Sequence, residues 1–508
     1  MFEHVLSVMI FLPLVAGVLL LLLPVSRNGV RVIGLALSVI VLICGLKVYV
    51  DFSGGGGLEF VEKITWIDTL GIHYHVGVDG ISLFVLMAAA VLFPMVFMLF
   101  TAKSRAYYCT MLIALGAMVG AVVAADLILF YVFWEIMLLP IFFMIGLWGG
   151  EKRIAATIKI TIYTISGSLL MLAALVYLAV SYHAQTGQWS FEIARMAILD
   201  LHGGFALLAF FGMMVAFAIK IPLFPFHTWL PDAYSEAPTS TTFILSAIMA
   251  KIGVYGVIRL VVPVFEGELA RYAVLFAYLG VIGLMYCGIA AIGQRDFKRM
   301  LAYSSASHMG IIALGVFCMN VQALTGTLYQ IVAHATSTGV LFLFAGVLEE
   351  RSNSRQIEDF GGVAYSAPIF ATFFAVAMLA SCGLPGTSGF IGEFLIILGA
   401  VKYNMLVGVL AATSLVIGVC YMLWMFQRVF FEKANDRTAA FKDLSAYETL
   451  VFLPVIVLIL VMGIYPQPFI AKIEPAAQKH IIQMITTGEP ALARNAAVPS
   501  PHSTTITP

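Results

Sequence analysis

The sequence contains little charge and little cysteine for its length. Only 11% of its 508 residues are charged, whereas a typical soluble domain has about 25%. Lys and Arg balance Asp and Glu at 27 each, so the chain lacks the basic excess that is typical of nucleic-acid binding. The six cysteines occur singly, without a Cys-x-x-Cys pair, which argues against iron–sulfur, zinc and disulfide frameworks.

Nucleotide-binding signatures are also missing. The chain has neither a G-x-G-x-x-G strand–helix unit nor a P-loop. We therefore expect no cofactor in this chain, and any redox or nucleotide chemistry must belong to a partner. The first apolar segment, Phe11 to Leu23, lacks a basic leading region and a cleavage site, so we interpret it as a retained helix and not as a signal peptide.

Apolar residues dominate what is present. Hydrophobic residues make up 62% of the chain, and its mean hydropathy is +1.02. Because about 20 apolar residues cross a bilayer, the chain divides into about fourteen candidate transmembrane helices. The expected fold class is an all-α polytopic membrane protein.

Basic residues are concentrated in alternate loops, and these loops predict the orientation of the chain. Under the positive-inside rule they face the cytoplasm, which places both termini on the outer face. The basic residues of these loops are Arg27, Arg31, Lys103, Arg105, Lys152, Arg153, Arg295, Lys298, Arg299, Arg351, Arg355, Lys433, Arg437 and Lys442. We interpret Arg259 and Lys159, which lie near the ends of candidate spans, as side chains that reach the headgroups.

One apolar run, Phe205 to Ile219, ends at a lysine that two prolines follow closely. Pro222 and Pro225 each remove a helical hydrogen bond, so the helix is predicted to break beside Lys220. Inside a bilayer, a broken helix is tolerated only where protein or water satisfies the freed backbone groups. The pattern therefore indicates an ion or proton site. The alternative is a helix that simply ends, with Lys220 extending to the headgroups.

A second interruption, built from Pro385, Gly386 and Gly389, precedes Glu393. The two breaks lie five candidate spans apart, which fits a five-helix unit repeated with opposite topology. Four further ionisable residues lie inside apolar spans: Glu135, Lys251, His308 and His334.

A single intramembrane histidine is more often a satisfied core residue than a site, but six ionisable residues on different helices are hard to explain by chance. Each charge at mid-membrane costs at least about 2.5–3.5 kcal/mol. Lysines and histidines with shifted proton affinity, placed near carboxylates, suit a proton relay.

Several stretches carry a resemblance to a known family. They are Gly77 to Leu83 (GVDGISL), Phe133 to Met137 (FWEIM), Ala218 to Ala233 (AIKIPLFPFHTWLPDA), Ile248 to Gly253 (IMAKIG) and Gly383 to Phe394 (GLPGTSGFIGEF). Over nearly its whole length the chain resembles the antiporter-like, proton-translocating membrane subunits of respiratory complex I, the NADH-quinone oxidoreductase. Glu393, where sister subunits usually carry lysine, favours the subunit M (chain 4) branch. The motif of a lysine followed by prolines is shared with multisubunit cation/proton antiporters.

The resemblance implies fourteen helices in two inverted five-helix repeats, with helices 7 and 12 broken. The corresponding division is residues 1–105 for helices 1–3, 106–262 for the first repeat, 271–432 for the second and 447–470 for helix 14. Residues 471–508 lie outside the family pattern, and their ending, PSPHSTTITP, predicts a disordered tail. The resemblance also implies that Glu135, Lys220, Lys251, His308, His334 and Glu393 form a proton relay at mid-membrane.

The partners and location follow from the same resemblance. We expect sister antiporter-like subunits beside this chain in a bacterial inner membrane. NADH, FMN, iron–sulfur clusters and quinone are expected in partner subunits. Two alternatives stay open: a subunit of a multisubunit cation/proton (Na⁺/H⁺) antiporter, and a subunit of a membrane-bound hydrogenase.

Overall fold

The computed structural model describes residues 4–99 and 104–496, with side chains as far as residue 482. Lys103, one of the basic-loop residues, lies outside the described residues. The chain begins with a series of apolar helices joined by short loops. They are α1 (Val5–Leu22), α2 (Arg27–Asp51), α3 (Ser82–Leu99), α4 (Arg105–Val123), α5 (Leu127–Trp148) and α6 (Arg153–Thr186).

The middle of the chain contains the first interrupted helix. The short α7 (Ile193–Met196) is followed by α8 (Gly204–Lys220), and after a gap the chain resumes as α9 (Trp229–Glu236). The next span, Thr239–Val261, alternates α-helix with π-helix. Its parts are α10 (Thr239–Ile244), a π-helical segment (Leu245–Met249), α11 (Ala250–Gly256) and a second π-helical segment (Val257–Val261).

The second half contains the other interrupted helix. The helices of this half are α12 (Glu266–Ile292), α13 (Phe297–Phe317), α14 (Val321–Ser352), α15 (Val363–Ser366), α16 (Pro368–Ser381), α17 (Ser388–Tyr403), α18 (Met405–Phe431), α19 (Asp436–Ala439), α20 (Ala446–Ile464) and α21 (Gln467–Ala496). The gap between α16 and α17 coincides with the break predicted from Pro385, Gly386 and Gly389.

The described residues include 12 helices long and apolar enough to cross a membrane, and α8 and α16 are shorter apolar helices. The chain is therefore a multi-pass membrane protein, as its composition predicts. The count of fourteen spans, the two inverted repeats and the proposed domain limits stay predictions.

An antiparallel hairpin departs from the all-α prediction. Strands β1 (Glu59–Ile67) and β2 (Ile72–Val78) pair in the loop between α2 and α3, with Glu62 opposite Val76 and Ile64 opposite Tyr74. The stretch that contains Phe60, Glu62, Ile64 and Trp66 is short and follows four glycines, so the sequence alone predicts a loop here. The hairpin defines one face of the molecule, here called the hairpin face.

The prediction of a disordered tail after residue 470 is wrong as far as Ala496. These residues form most of α21, which packs against α14 and α12. Ile473, Ala476 and Ala477 bury their side chains, and Lys472 donates to the carbonyls of Tyr49 and Phe52. The apolar stripe supplies the packing energy that composition alone did not indicate. Residues 497–508 lie outside the described residues.

The loops opposite the hairpin carry most of the basic residues, and their end of the helix bundle is called the basic-loop face. Two of these side chains, together with Lys159 on α6, bind to α9 or to the residue that follows it. Lys159 and Arg299 pair with Asp232 at 2.7 and 2.9 Å, whereas the buried Lys298 donates to the carbonyl of Ala237 at 2.7 Å. Lys159 is thus held by a carboxylate, and its interpretation as a headgroup-seeking side chain is corrected.

Candidate proton-relay site

The first helix break is closed by a side chain from the far side of the gap. The carbonyl of Ile219, left free by the end of α8, accepts a hydrogen bond from Nε1 of Trp229 at 2.9 Å. Because this group is satisfied by protein, the interruption can exist away from water. Lys220 is the last residue of α8, and its position is set by this arrangement.

Lys220 is buried inside the protein. Its side chain is 1% exposed, and its Nζ has no hydrogen-bond partner among the described residues. The nearest favourable contact is the ring of Trp134, whose centroid lies 4.6 Å from Nζ. A cation–π contact of this kind offsets only part of the cost of removing an ammonium from water. The ammonium does not extend to the surface, so the alternative of a headgroup-seeking lysine is excluded.

Glu135 lies on α5, one residue after Trp134, and is half-buried. Its carboxylate accepts a hydrogen bond from the hydroxyl of Ser168 on α6 and lies beside Tyr131. The charges of Glu135 and Lys220 interact without a direct contact. Trp134 belongs to the FWEIM stretch but was not predicted as a site residue, and Ser168 was not identified, because a serine or a tryptophan in an apolar helix carries no signal of its contact with a charge.

Lys251 belongs to the helix that packs against the first break. A β-carbon built on Gly253 would lie 3.1 Å from that of Lys220, so the two lysine-bearing helices touch at this point. Lys251 is 1% exposed, and its Nζ donates to the carbonyl of Ser246 in the first π-helical segment. A π-segment loosens the regular α-helical hydrogen bonding, which leaves a carbonyl able to bind the ammonium.

The two histidines connect Lys251 with the second half of the chain. His334 on α14 is 1% exposed, and neither of its ring nitrogens has a hydrogen-bond partner in the part of the chain that the structure describes. Lys251 and His308 both lie within electrostatic range of it. The rings of His308 and His334 are 5.4 Å apart between centroids. A ring flip or one water molecule can bridge such a separation, which suits a proton relay.

Glu393, on α17, receives two hydrogen bonds at one oxygen. Its Oε1 lies 2.8 Å from Nδ1 of His308 and 3.0 Å from Nε2 of Gln330, which donates to it. The other oxygen, Oε2, has no partner among the described residues. His308 also lies 3.4 Å, through Nε2, from the hydroxyl of Ser381. Glu393 is 2% exposed, so a carboxylate with one free oxygen is kept away from bulk water.

The second break provides the space in which Glu393 sits. Gly383 has a φ of +69°, and a β-carbon there would lie 2.8 Å from Oε2 of Glu393, so both conformation and space require glycine. Beside the carboxylate is a small cavity of about 10 Å³, lined by His308, Ser381 and Tyr421 among others. A volume of roughly this size holds one water molecule.

The structure therefore brings all six sequence-predicted residues into one series, in the order Glu135, Lys220, Lys251, His334, His308 and Glu393. Gln330 was missed, although its position one helical turn before His334 on α14 is a usable signal, since residues four apart share a face. Within the described part of the chain, no group of three or more His, Cys, Asp or Glu residues is placed to hold a metal ion.

Buried ionisable residues on interrupted helices are characteristic of membrane proteins that move ions. The arrangement therefore defines a polytopic ion-translocating membrane protein. Residues 124–418 match the family model described as NADH:quinone oxidoreductase/Mrp antiporter, TM. The chain belongs to this family of antiporter-like membrane subunits.

Comparisons with individual proteins agree with this assignment. The NADH-quinone oxidoreductase subunit M of Rickettsia felis is 38% identical over 479 residues, which cover 91% of this chain and 95% of that protein. A chain of respiratory complex I from Thermus thermophilus has a TM-score of 0.87 at 32% identity, covering 95% of this chain and 100% of that one. A chain of the Mrp complex from Dietzia has a TM-score of 0.85 at 20% identity, covering 95% and 99%, which shows a shared fold.

Proposed function

We infer that this chain is a proton-translocating membrane-arm subunit of an NADH-quinone oxidoreductase. The observation that carries the inference is the set of six ionisable residues from Glu135 to Glu393 on adjoining helices, five of them buried and Glu135 half-buried. The identity to subunit M of Rickettsia felis and to a complex I chain of Thermus thermophilus favours this function over that of a cation/proton antiporter subunit. The Mrp likeness, at 20% identity, supports the fold.

The contacts suggest which role each of the six residues has in proton transfer. Lys220, which has no hydrogen-bond partner among the described residues, is electrostatically coupled to Glu135, so the protonation of one residue affects that of the other. Lys251, held by a backbone carbonyl, passes protons through His334 and His308. Glu393 receives them at Oε1 or Oε2, since His308 is within hydrogen-bond distance of the carboxylate. Each transfer moves one proton between neighbouring groups and requires no covalent chemistry.

The energy for these transfers comes from partner subunits in this proposal. Oxidation of NADH through FMN and iron–sulfur clusters, with reduction of quinone, takes place outside this chain. Sister antiporter-like subunits lie beside it in the bacterial inner membrane. The basic-loop face is cytoplasmic, and the hairpin face, with both termini, lies on the outer side.

The function is tested by purifying the complex that contains this chain and reconstituting it in liposomes. We expect copurified flavin and iron–sulfur subunits, and acidification or alkalinisation of the vesicle lumen that depends on NADH and quinone. Lys251→Met keeps the length of the side chain and removes its proton site, so NADH-driven proton movement should fall by roughly a hundred-fold. The matched control is Lys402→Met, at an exposed lysine remote from the series.

Two results would contradict the proposal. One is a preparation without flavin and iron–sulfur subunits that exchanges Na⁺ for H⁺ in the absence of NADH, which would support the antiporter alternative. The other is full proton pumping by Lys251→Met in a complex assembled to the normal level, which would show that the relay does not run through this chain.

A further inference from the structure

Arg259, expected to reach the headgroups, instead forms a buried ion pair with the hairpin region. Its Nη1 lies 2.5 Å from Oδ2 of Asp79, and the two side chains are 11% and 8% exposed. Asp79 follows β2, and its other oxygen accepts hydrogen bonds from the backbone of Ile81 and Ser82. The sequence signal for Arg259 was misleading, because a basic residue near a helix end usually extends outward.

Tyr255 stands between this pair and Lys251. Residues 251 and 255 are four apart in α11 and share one side of that helix, and Arg259 follows in the second π-helical segment. The hydroxyl of Tyr255 is buried and has no hydrogen-bond partner among the described residues. Both Asp79 and Arg259 act on it electrostatically. A hydroxyl with both donor and acceptor capacity free is suited to receive one proton and release another.

Beyond the ion pair lies a cavity of about 180 Å³ on the hairpin face. His75 on β2, Glu192, Arg259 and His480 on α21 contribute to its lining. Nδ1 of both histidines and Nε of Arg259 have no hydrogen-bond partner among the described residues. Unsatisfied polar atoms around one space indicate that water fills it.

The cavity reaches the protein surface. Ala194 and Lys479 lie on its rim, and both are exposed. Burial lowers the pKa of His75 and lowers that of His480 to about 4, so both rings stay neutral at pH 7 and add no positive charge to the cavity. Glu192 is ionised, because the nearby Lys63 and Arg195 hold its pKa low despite its burial.

We propose that Tyr255 and the Asp79–Arg259 pair carry protons between Lys251 and the cavity on the hairpin face. The first half of the chain then has its own opening to that face, separate from the route through His308 and Glu393. The inference rests on the proposed role of the chain in moving protons. The second π-helical segment, Val257–Val261, contains Arg259, and such segments are frequent at functional positions.

The transfer conserves protons at each step. The ammonium of Lys251 gives a proton, directly or through one water, to the oxygen of Tyr255. The hydroxyl proton of Tyr255 passes at the same time to the carboxylate of Asp79, whose attraction to Arg259 weakens as it is neutralised. Asp79 then releases the proton to water in the cavity, which carries it to the surface past Ala194 and Lys479. Lys251 is left neutral and ready for the next proton.

Tyr255→Phe tests the proposal because it removes a single oxygen and keeps the packing. The matched control is Tyr234→Phe, since Tyr234 is equally buried, its hydroxyl also lacks a partner, and no charged group acts on it. In liposomes containing the whole complex, Tyr255→Phe should lower NADH-driven proton pumping by roughly ten-fold, and Tyr234→Phe should leave it unchanged. Lys251→Met is measured alongside.

The three variants separate the two hypotheses. Loss of pumping in Lys251→Met together with normal pumping in Tyr255→Phe would overturn the hairpin-face opening and leave the proposed function intact. Normal pumping in both would contradict the proposed function itself. Equal losses in Tyr255→Phe and Tyr234→Phe would show that a buried tyrosine hydroxyl is needed for stability, and this result would also overturn the opening.

A second measurement checks that the cavity is open to water. Ala197→Cys places a thiol in the cavity lining, and His202→Cys places one on an exposed position of the same face as a control. A charged methanethiosulfonate reagent added to the hairpin face should react with both. Only the adduct at position 197 should slow pumping. A thiol at position 197 that resists the reagent, or reacts without any effect on pumping, would overturn the proposal.

Discussion

The two helix breaks hold their ionisable residues in opposite ways. At the first break, Lys220 has no hydrogen-bond partner within the described residues and lies against the ring of Trp134. At the second, Glu393 is bound by His308 and Gln330 at one oxygen, while its other oxygen has no partner within the same residues. An unsolvated ammonium loses its charge readily, whereas a hydrogen-bonded carboxylate is fixed in place. The difference suggests that Lys220, at the first break, changes its charge during transfer, and that Glu393, at the second break, receives the proton and passes it on.

The strongest test of this comparison is Lys220→Met. A methionine fills nearly the same volume, so the complex should assemble, but NADH-driven pumping should fall by roughly a hundred-fold because the titrating group is gone. Replacing a buried ion by a packed apolar residue is often neutral or stabilising by about 1–4 kcal/mol, so the melting temperature of the complex should not fall. Pumping and thermal unfolding are measured on the same preparation.

A different pattern would break the comparison. If Lys220→Met lowers the melting temperature and pumping together, the lysine holds the helices in position, and its loss of activity reflects misfolding. A Lys220→Met complex that pumps protons and melts normally would show that the change of charge occurs at another residue of the series.

At the second break, Glu393→Gln and Glu393→Lys give the next largest effect. Gln keeps the hydrogen bonds but cannot take up a proton, so coupled turnover should fall by roughly ten-fold or more. Lys restores a titratable group, and the unpartnered Oε1 of Gln330 is available to accept from it. Glu393→Lys should therefore retain more pumping than Glu393→Gln. Pumping and quinone reduction are compared in membranes with matched amounts of complex; the reverse order would show that the carboxylate only braces the break.

Glu135 should show the smallest effect of the three. It is half-buried and interacts with Lys220 through its charge, without direct contact. Glu135→Gln should therefore lower pumping less than Lys220→Met does. Ser168→Ala removes a hydrogen bond to this carboxylate and should lower pumping by a smaller factor still, since the titratable group of Glu135 itself stays in place. An equal loss in Glu135→Gln and Lys220→Met would mean that the two residues act as one unit.

The six ionisable residues and both breaks are visible in the sequence because prolines, glycines and ionisable residues are rare within apolar spans. Their neighbours were less visible. Gln330, Ser168 and Trp134 are ordinary components of helices, and only the packing of separate helices brings them to the charged groups. The same holds for Arg259 and Asp79, which are 180 residues apart along the chain. The hairpin and α21 were missed because their stability comes from contacts with the helix bundle, whereas composition and periodicity report local preference.

The π-helical segments of the span Thr239–Val261 make the number of residues in this helix a functional property. Each segment holds one residue more than regular α-helix of similar rise, and one residue turns all that follows by about 100°. Lys251 follows the first segment, and Arg259 lies in the second. Deleting one residue between Leu245 and Met249 would keep Lys251 in the chain and yet turn it away from His334. Loss or gain of a single codon here should be rejected by selection more strictly than most substitutions.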